Sequence, residues 1–176
     1  ETIHFRPIQP IDERLVQELY YSLSPDDRVL RFFTNRRYFD HKMTHYLTIV
    51  DYQNHYLIVG LSGKEEGDQR IIAISEYHRD KNSSYPNLGE FAITIHENYR
   101  GKGLGRFLMN LIIEVAKDNG LKGLYGDVLV YNKGMLRLLE TLPYNVKLIH
   151  EGQSYAFKFY FDDIKDESDE IDDKDN

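Results

Sequence analysis

The sequence predicts an α/β fold, with a mixed β-sheet of about seven strands and helices on its faces. Short runs of β-branched and apolar residues have the period of strands, and they alternate along the chain with stretches that have the amphipathic period of helices. The predicted order is strand, helices, three strands, helix, strand, helix, two strands. Elements in that order are typical of a mixed sheet packed against helices.

The first fifty residues predict one strand followed by three helices. Residues 2–8 alternate in polarity and predict the opening strand. Asp12 is a candidate N-cap for a helix that ends near Ser22. The stretch 24–27 places a capping serine before a proline and two aspartates, which predicts the start of a second helix. A third, short helix is expected over residues 40–48.

The remainder of the chain predicts six strands and two helices. The runs 56–61 and 70–75 are rich in β-branched residues and flank a polar turn, so they predict a hairpin. Apolar residues recur at helical spacing from Leu104 and stop near Asn119 and Gly120, which predicts a helix with a glycine after its end. The other predicted elements are strands over 88–96, 123–130, 145–150 and 155–161, and a helix over 133–142.

Length and charge divide the chain into one domain and a tail. The 176 residues are 41% hydrophobic, enough for one folded domain, which we place over residues 1–161. Residues 162–176 hold nine acidic residues and two lysines, which accounts for the whole net charge of −7. We expect this acidic stretch to be a disordered tail. Because the remaining charges balance, we expect no nucleic acid partner.

Composition excludes several chemistries. The chain contains no cysteine, which rules out disulfides, thiol nucleophiles and zinc–thiolate sites and suits a reducing, cytoplasmic location. No apolar run reaches the ~20 residues of a membrane-spanning helix, so no membrane partner is expected. Of the seven histidines, His41 and His45 are four residues apart but lack an obvious third ligand. We therefore interpret them as surface residues and predict no metal.

The turn at residues 100–105 is the most informative motif. It follows a predicted strand and opens a predicted helix, and Gly101, Gly103 and Gly105 let backbone N–H groups converge. These groups, the helix dipole and the nearby cationic side chains favour a bound phosphate. The spacing fits neither a P-loop nor a dinucleotide-binding fingerprint, which needs a small residue at position 108. On the residues alone, an ordinary glycine-rich connection remains an alternative.

Arg100, Gly103 and Gly105 form an Arg-x-x-Gly-x-Gly motif. It resembles the acyl-CoA pyrophosphate loop of the GCN5-related N-acetyltransferase (GNAT) superfamily. The predicted order of elements over residues 2–161 is also similar to that family's order. The resemblance implies the GNAT fold, acetyl-CoA as cosubstrate, and transfer of an acetyl group to an amine.

Further segments are similar to the GNAT domain of bacterial protein-lysine acetyltransferases that act on acyl-CoA synthetases. They are residues 5–8, 23–24, 31–33, 89–92 and 135–138, with Asn132. This resemblance implies a protein lysine as acceptor, for example on an acyl-CoA synthetase, with residues 30–46, including 36–39, on the acceptor side. A small amine acceptor and a non-catalytic acyl-CoA sensor are the alternatives. Members often carry another module, and since this chain starts at Glu1 we expect a processed chain or part of a longer protein.

Glu90 is the candidate general base. In a strand it shares a face with Ala92 and Thr94, and we expect its small and apolar neighbours to desolvate the carboxylate and make it a stronger base. Such a carboxylate can accept the proton that an attacking lysine must lose. On the residues alone, a glutamate paired with a basic side chain is favoured. In the enzymes that this segment resembles, the glutamate of Glu-Phe-Ala is the base, which implies that role here.

The resemblance also implies a cofactor site. A splayed strand over 88–96 would offer backbone groups of Ile93 and Ile95 to the pantetheine arm, and the N–H near Ile93 would stabilise the thioester oxyanion. The residues expected to bind the cofactor are Phe91, Ile93, Ile95, Arg100, Gly101, Lys102, Gly103, Leu104, Gly105, Arg106, Asn132 and Met135. Asn132 is equally suited to cap the last helix.

A general acid is missing from its usual place. Many members of the family carry a tyrosine in the last helix, where residues 138–140 are Leu-Leu-Glu. Tyr131 and Tyr144 flank that helix as alternatives. Because the CoA thiolate is a tolerable leaving group, we assign no acid. Without a cysteine to carry an acyl group, we expect direct attack within a ternary complex.

Overall fold

A computed structural model describes residues 1–64 and 67–166, and within them the predicted order of elements is confirmed. The strands are β1 (His4–Pro7), β2 (His55–Ser62), β3 (Arg70–His78), β4 (Leu88–Ile95), β5 (Gly123–Leu129), β6 (Lys147–Glu151) and β7 (Ser154–Tyr160). The helices are α1 (Glu13–Ser22), α2 (Pro25–Phe32), α3 (His41–Thr48), α4 (Leu104–Asp118) and α5 (Lys133–Glu140). Two short 3-10 turns that the sequence did not predict are Pro10–Asp12 and Glu97–Tyr99.

The strands form one mixed sheet of seven strands, as the sequence predicts, and their order in the sheet is β1-β2-β3-β4-β5-β7-β6. Neighbouring strands are antiparallel except β4 and β5, which run parallel. The parallel pairing covers only three residue pairs, from Leu88 opposite Gly123 to Glu90 opposite Tyr125. Beyond Glu90, strand β4 continues against β3 as far as Ile95, while its pairing with β5 ends.

Hydrophobic cores lie on both faces of the sheet. On one face, α4 and α5 bury residues such as Leu108 and Ile112 against the central strands. On the other face, α1, α2 and α3 surround an aromatic core in which the rings of Tyr20 and Phe39 stack at 5.3 Å. Since side chains alternate along a strand, the odd-numbered residues of β4 face α4 and the even-numbered residues face the α1–α3 side.

Two of the three predicted N-caps, Ser24 and Asn132, are present, and Asp40 caps α3 although no cap was predicted there. Ser24, Asp40 and Asn132 each accept a hydrogen bond from a backbone N–H in the first turn of their helix. Asp12 is the exception, because its carboxylate accepts hydrogen bonds from the Arg6 guanidinium at 2.7 and 2.8 Å. Asp12 occupies the N-cap position of α1, but its carboxylate bonds the Arg6 guanidinium and the Gln9 N–H instead of the first turn, so the predicted side-chain cap does not form.

The described fold extends slightly past residue 161. Ile164 forms a bridge with Tyr144, and the N–H of Asn145 donates to the carbonyl of Asp163 at 2.9 Å. Residues 162–166, which the charge pattern assigns to the tail, are therefore attached to the segment after α5. The rest of the predicted tail, residues 167–176, lies outside the described residues. Among the helices described, none combines the length and apolarity needed to cross a membrane.

Gly123 allows β5 and β7 to approach closely. A Cβ at this position would lie 2.1 Å from the carbonyl oxygen of Phe159, a backbone atom that cannot rotate away. We predict that Gly123→Ala lowers the free energy of unfolding by about 1–3 kcal/mol, because the two strands must shift apart. Urea unfolding measures the loss. Gly134→Ala is the control, since a Cβ there meets no atom closer than 4.0 Å. Equal stability of the two variants would contradict the prediction.

Candidate active site

The divergence of β4 and β5 opens a cleft of about 790 Å³ in the middle of the sheet. Its walls are α2, the part of β4 from Glu90 to Ile95, the turn that leads into α4, the end of β5, and α5 with the residues before it. The candidate base and the glycine-rich turn therefore line one cleft.

All of the sequence-predicted site residues line this cleft except Lys102. The Lys102 ammonium instead donates to the carbonyl of Asn98 at 3.1 Å and lies 5.4 Å from the centre of the Tyr99 ring. Both contacts attach the Lys102 side chain to residues of the preceding turn. Lys102 therefore adds positive charge near the cleft without facing it.

The turn before α4 has the backbone geometry of an anion site. Gly101 and Gly103 have φ of 71° and 84°, in the left-handed region that favours glycine. Helix α4 starts immediately afterwards, and the N–H groups in the first turn of a helix have no acceptor within that helix. Those of Leu104, Gly105 and Arg106 are thus available to an anion, and the helix dipole adds to their attraction.

Arg100 ties this turn to two other walls of the cleft. Its Nη1 lies 2.8 Å from a carboxylate oxygen of Asp27, a buried residue of α2. Its Nε donates to the carbonyl of Ile95 at 2.9 Å. The Ile95 carbonyl, expected from the sequence to be free for the pantetheine arm, is therefore occupied. Arg100 positions the turn relative to β4 and α2.

The backbone N–H and C=O groups of every second residue of β4 face the cleft. The N–H of His96 donates to Ile72 on β3 at 2.9 Å. Backbone N–H and C=O groups alternate between the two edges of a strand. Those of Phe91, Ile93 and Ile95 therefore point away from β3, toward the edge where pairing with β5 ends. Among the described pairings, β5 does not reach Ile93. The splayed strand expected from the sequence is thus present, with the N–H of Ile93 directed into the cleft.

Glu90 sits where the two strands separate. It lies opposite His78 on β3 and opposite Tyr125 on β5, and its side chain is exposed. The expectation of a desolvated carboxylate is therefore wrong for the unliganded chain, because the opening of the cleft starts at this residue. Exposure instead gives the carboxylate direct exchange of protons with water.

Two aromatic residues are the strand partners of Glu90, His78 on β3 and Tyr125 on β5. Partial burial raises the pKa of Tyr125, and the nearby Glu90 carboxylate raises it further. Burial, together with Glu76 and Glu90, likewise raises the pKa of Tyr46 on α3. The Tyr46 ring lies 6.2 Å from the ring of His78. Sequence analysis missed these tyrosines and His78, because their approach to Glu90 depends on strand register and on the packing of α3.

A buried ion pair fixes α2 against the sheet. Arg31 of α2, which lines the cleft, hydrogen-bonds the carboxylate of Glu76 on β3, and His55 lies 3.9 Å from the second carboxylate oxygen. Burial opposes ionisation of Glu76, yet the Arg31 charge and the His55 hydrogen bond lower its pKa below the ordinary value. No local motif could have revealed a pair whose members are 45 residues apart.

The segment after α2 only partly matches the predicted acceptor side. Leu30, Arg31 and Phe33 line the cleft. Phe39 is fully buried between α1 and α2, and the exposed Tyr38 is not among the cleft-lining residues. The expectation that residues 36–39 line the acceptor side is therefore wrong, because the Phe39 ring fills the aromatic core.

Two further side chains bear on catalysis. Tyr131 is exposed and lines the cleft, whereas Tyr144 is buried against the Phe159 ring at 5.4 Å. Of the two tyrosines that flank the last helix, Tyr131 lines the cleft and Tyr144 does not. Thr94 also lines the cleft, and its buried hydroxyl has no hydrogen-bond partner among the described residues. That hydroxyl is available to a ligand.

A cleft with an anion site at one end and an unpaired strand edge along its wall defines a transferase for an extended, phosphate-bearing cosubstrate. The model of the acetyltransferase (GNAT) family matches residues 16–142. The chain is also 30% identical over 139 residues to Acetyltransferase PA5475 of Pseudomonas aeruginosa, which covers 79% of this chain and 73% of that protein. This chain belongs to the GNAT family of acetyltransferases, and it is an acetyl-CoA-dependent acyltransferase.

Solved structures show the same fold. The GNAT domain of S. lividans PAT superposes with a TM-score of 0.79 at 22% identity, over 91% of each chain. The protein yncA of Salmonella typhimurium, solved with its cofactor acetyl-CoA, superposes with a TM-score of 0.67 at 16% identity, over 91% of this chain and 92% of its own. The fold class and the family resemblance predicted from the sequence are confirmed.

The ion pair of Arg31 and Glu76 makes the free energy of unfolding depend on pH. Because the folded-state pKa of Glu76 lies below its ordinary 4.5, the unfolded chain binds a proton first as the pH falls. This contribution is present above the ordinary pKa and is lost as the pH falls through the folded-state value. We predict that the double variant Arg31→Met/Glu76→Gln loses less unfolding free energy than the wild type between about pH 6 and about pH 3.5. Urea titrations test this, and an unchanged pH dependence would count against it.

Proposed function

We propose that this chain transfers the acetyl group of acetyl-CoA to a lysine amine of a protein, by direct attack with Glu90 as general base. The observation that carries the proposal is the position of Glu90 at the fork between β4 and β5. From there the carboxylate lines the same cleft as the anion-binding turn and the unpaired edge of β4. An acceptor entering from the α1–α3 side would meet the base and the thioester together.

The donor side of the cleft suits acetyl-CoA. The pyrophosphate would bind the free N–H groups at the start of α4, with the Arg106 side chain beside them. The pantetheine arm, which resembles a peptide, would lie along the edge of β4 at Ile93. Asn132 and Met135 would form the opposite wall. The Asn132 amide already caps α5 at 3.2 Å from the Met135 nitrogen, and its remaining hydrogen-bonding capacity is available to the arm.

The chemistry removes two protons from the lysine nitrogen and stabilises one negative charge on the thioester oxygen. Glu90 takes the proton of the lysine ammonium, and the neutral amine attacks the thioester carbon. A C–N bond forms, and the N–H of Ile93 donates to the oxyanion. Collapse of this intermediate breaks the C–S bond and releases the CoA thiolate, and the nitrogen loses its second proton to water as the neutral amide forms. Tyr131 is the tyrosine in the cleft that can supply a proton to the sulfur. Glu90 then returns its proton to water, to which it is exposed.

The acceptor side suits a cationic side chain. Glu90 and Asp127 line the cleft, both exposed, and attract an ammonium group. Tyr125, the β5 partner of Glu90, offers aromatic surface that can pack against the aliphatic stem of a lysine. The segments that resemble protein-lysine acetyltransferases support a protein substrate. An acyl-CoA synthetase is the first acceptor to test.

We predict that Glu90→Gln lowers acetyl transfer by about 10²–10⁴-fold while leaving the affinity for acetyl-CoA unchanged, because the amide cannot accept the ammonium proton. Release of free CoA thiol measures turnover, against a panel of acyl-CoA synthetases and a panel of small amines. Calorimetry measures acetyl-CoA binding. The matched control is Glu114→Gln, an exposed glutamate on the outer surface of α4 that is absent from the cleft.

The outcomes separate the alternatives. Turnover on a synthetase that falls only in Glu90→Gln supports the proposal. Turnover confined to small amines would move the acceptor to a metabolite. Acetyl-CoA binding without turnover on either panel would favour an acyl-CoA sensor. Full activity in Glu90→Gln would remove this residue from the mechanism.

The two cations of the turn should differ in their effect on the cofactor. We predict that Arg106→Ala weakens acetyl-CoA binding by about tenfold, because a charge-assisted contact to phosphate contributes roughly 1.5–3 kcal/mol. We predict a smaller loss for Lys102→Ala, since the Lys102 ammonium is held by Asn98 and Tyr99 outside the cleft. Calorimetric dissociation constants at two salt concentrations measure both. Equal losses would show that the turn acts through total charge alone.

A further inference from the structure

A cluster of possible metal ligands lies on the surface between α1 and α3. His41 and His45 lie on α3, and Glu13 lies at the start of α1. One ligand atom from each residue falls within 4.8 Å of the other two. The sequence interpretation of the histidines as surface residues is confirmed by their exposure, but the third ligand that the sequence did not show is present 28 residues upstream of His41.

We propose that Glu13, His41 and His45 form a binding site for Zn²⁺ or a similar divalent transition-metal ion. None of the three lines the acetyl-transfer cleft, so the site is separate from the proposed catalytic machinery. Two imidazoles and one carboxylate are a donor set that zinc binds in proteins, with the remaining position left to water. Mg²⁺ and Ca²⁺ prefer sites built entirely from oxygen.

The geometry needs little rearrangement to receive an ion. Residues four apart on a helix lie on one face, and the two imidazole rings are 5.2 Å apart between centres. His41 Nδ1 already contacts a carboxylate oxygen of Glu13. The His41 side chain is 77% exposed, so the ring is free to turn until its nitrogen and the carboxylate share an ion.

Thr44 holds the carboxylate in place. Its hydroxyl donates to Glu13 Oε1 at 2.9 Å, and Thr44 itself is fully buried between α1 and α3. A ligand that is oriented by a second hydrogen bond binds metal more tightly than a free one. The site therefore combines one positioned oxygen ligand with two adjustable nitrogen ligands.

Occupancy of the site would link two helices. An ion held by Glu13 and by both histidines would fasten the start of α1 to the first turns of α3. The ring of Tyr46, the residue after His45, lies 6.2 Å from the ring of His78, which is the β3 partner of Glu90. Metal binding would thus hold the helix that carries Tyr46. Because the ligand set is exposed and has three members, we expect affinity in the micromolar range that is easily reversed by a chelator.

The test is a titration of Zn²⁺ into the full chain without an affinity tag. We expect one ion per chain by calorimetry, and a thermal midpoint raised by about 5 °C at a 100-fold excess over the dissociation constant. Mg²⁺ at the same concentration should leave the midpoint unchanged. His45→Gln should weaken Zn²⁺ binding at least about tenfold. The matched control His150→Gln, an exposed histidine on β6, should bind as the wild type does.

A second variant covers the case in which a histidine substitution alters folding. Glu13→Gln keeps an oxygen that can accept the Thr44 hydrogen bond but removes the charged ligand. We expect it to fold with an unchanged midpoint in the presence of chelator and to bind Zn²⁺ more weakly. The proposal is overturned if Zn²⁺ does not bind, if Mg²⁺ gives the same shift, or if His150→Gln weakens binding as much as His45→Gln.

Discussion

The early end of pairing between β4 and β5 is the constraint on which the functional part of the structure depends. A buried strand edge must find hydrogen-bond partners, because an unpaired backbone N–H or carbonyl away from water costs free energy. Strand β4 loses its β5 partner after Glu90 and still runs to Ile95. The Ile95 carbonyl is satisfied by Arg100, and the Ile93 N–H is directed into the cleft. A peptide-like ligand is the natural partner for such an edge.

The alternation of side chains along β4 places the donor side and the acceptor side of the proposed reaction on opposite faces of the sheet. The odd-numbered side chains pack under α4 and α5, beside the anion site, and the even-numbered side chains point toward α1–α3. Glu90 is the even-numbered residue at the fork, so in the proposed reaction its carboxylate would lie on the acceptor side of a thioester held along the edge. Arg100 connects the two faces of the sheet, because it contacts Asp27 of α2 and donates a hydrogen bond to the Ile95 carbonyl at the end of β4.

The elements and the residues of the cleft were predictable because their signals are local. Strand periodicity, the caps at Ser24 and Asn132, and the glycines at 101 and 103 each depend on a few neighbouring residues. The features that were predicted wrongly depend on packing between segments that are distant in the sequence. Phe39 was expected on the acceptor side, but its ring is buried in the core beside α1. The exposure of Glu90 follows from the separation of β4 and β5, which no local pattern encodes.

The same reason explains the features that sequence analysis missed. The pairing of Arg31 with Glu76, the approach of Tyr46 to Glu90, and the placement of Glu13 beside His41 each join helices to strands or helices to one another. Local propensity carries no information about such contacts. Asp12 shows the converse, because a correct local signal for a cap was overridden by a stronger partner, Arg6.

The most direct test of the central claim is amide hydrogen exchange in β4, residue by residue, with and without acetyl-CoA. The account predicts that acetyl-CoA slows exchange of the Ile93 N–H, while the Thr94 N–H, which faces β3, exchanges slowly in both states. Unchanged exchange at Ile93 in the presence of bound acetyl-CoA would contradict the account. The unpaired edge of β4 would then not be the surface that receives the cofactor.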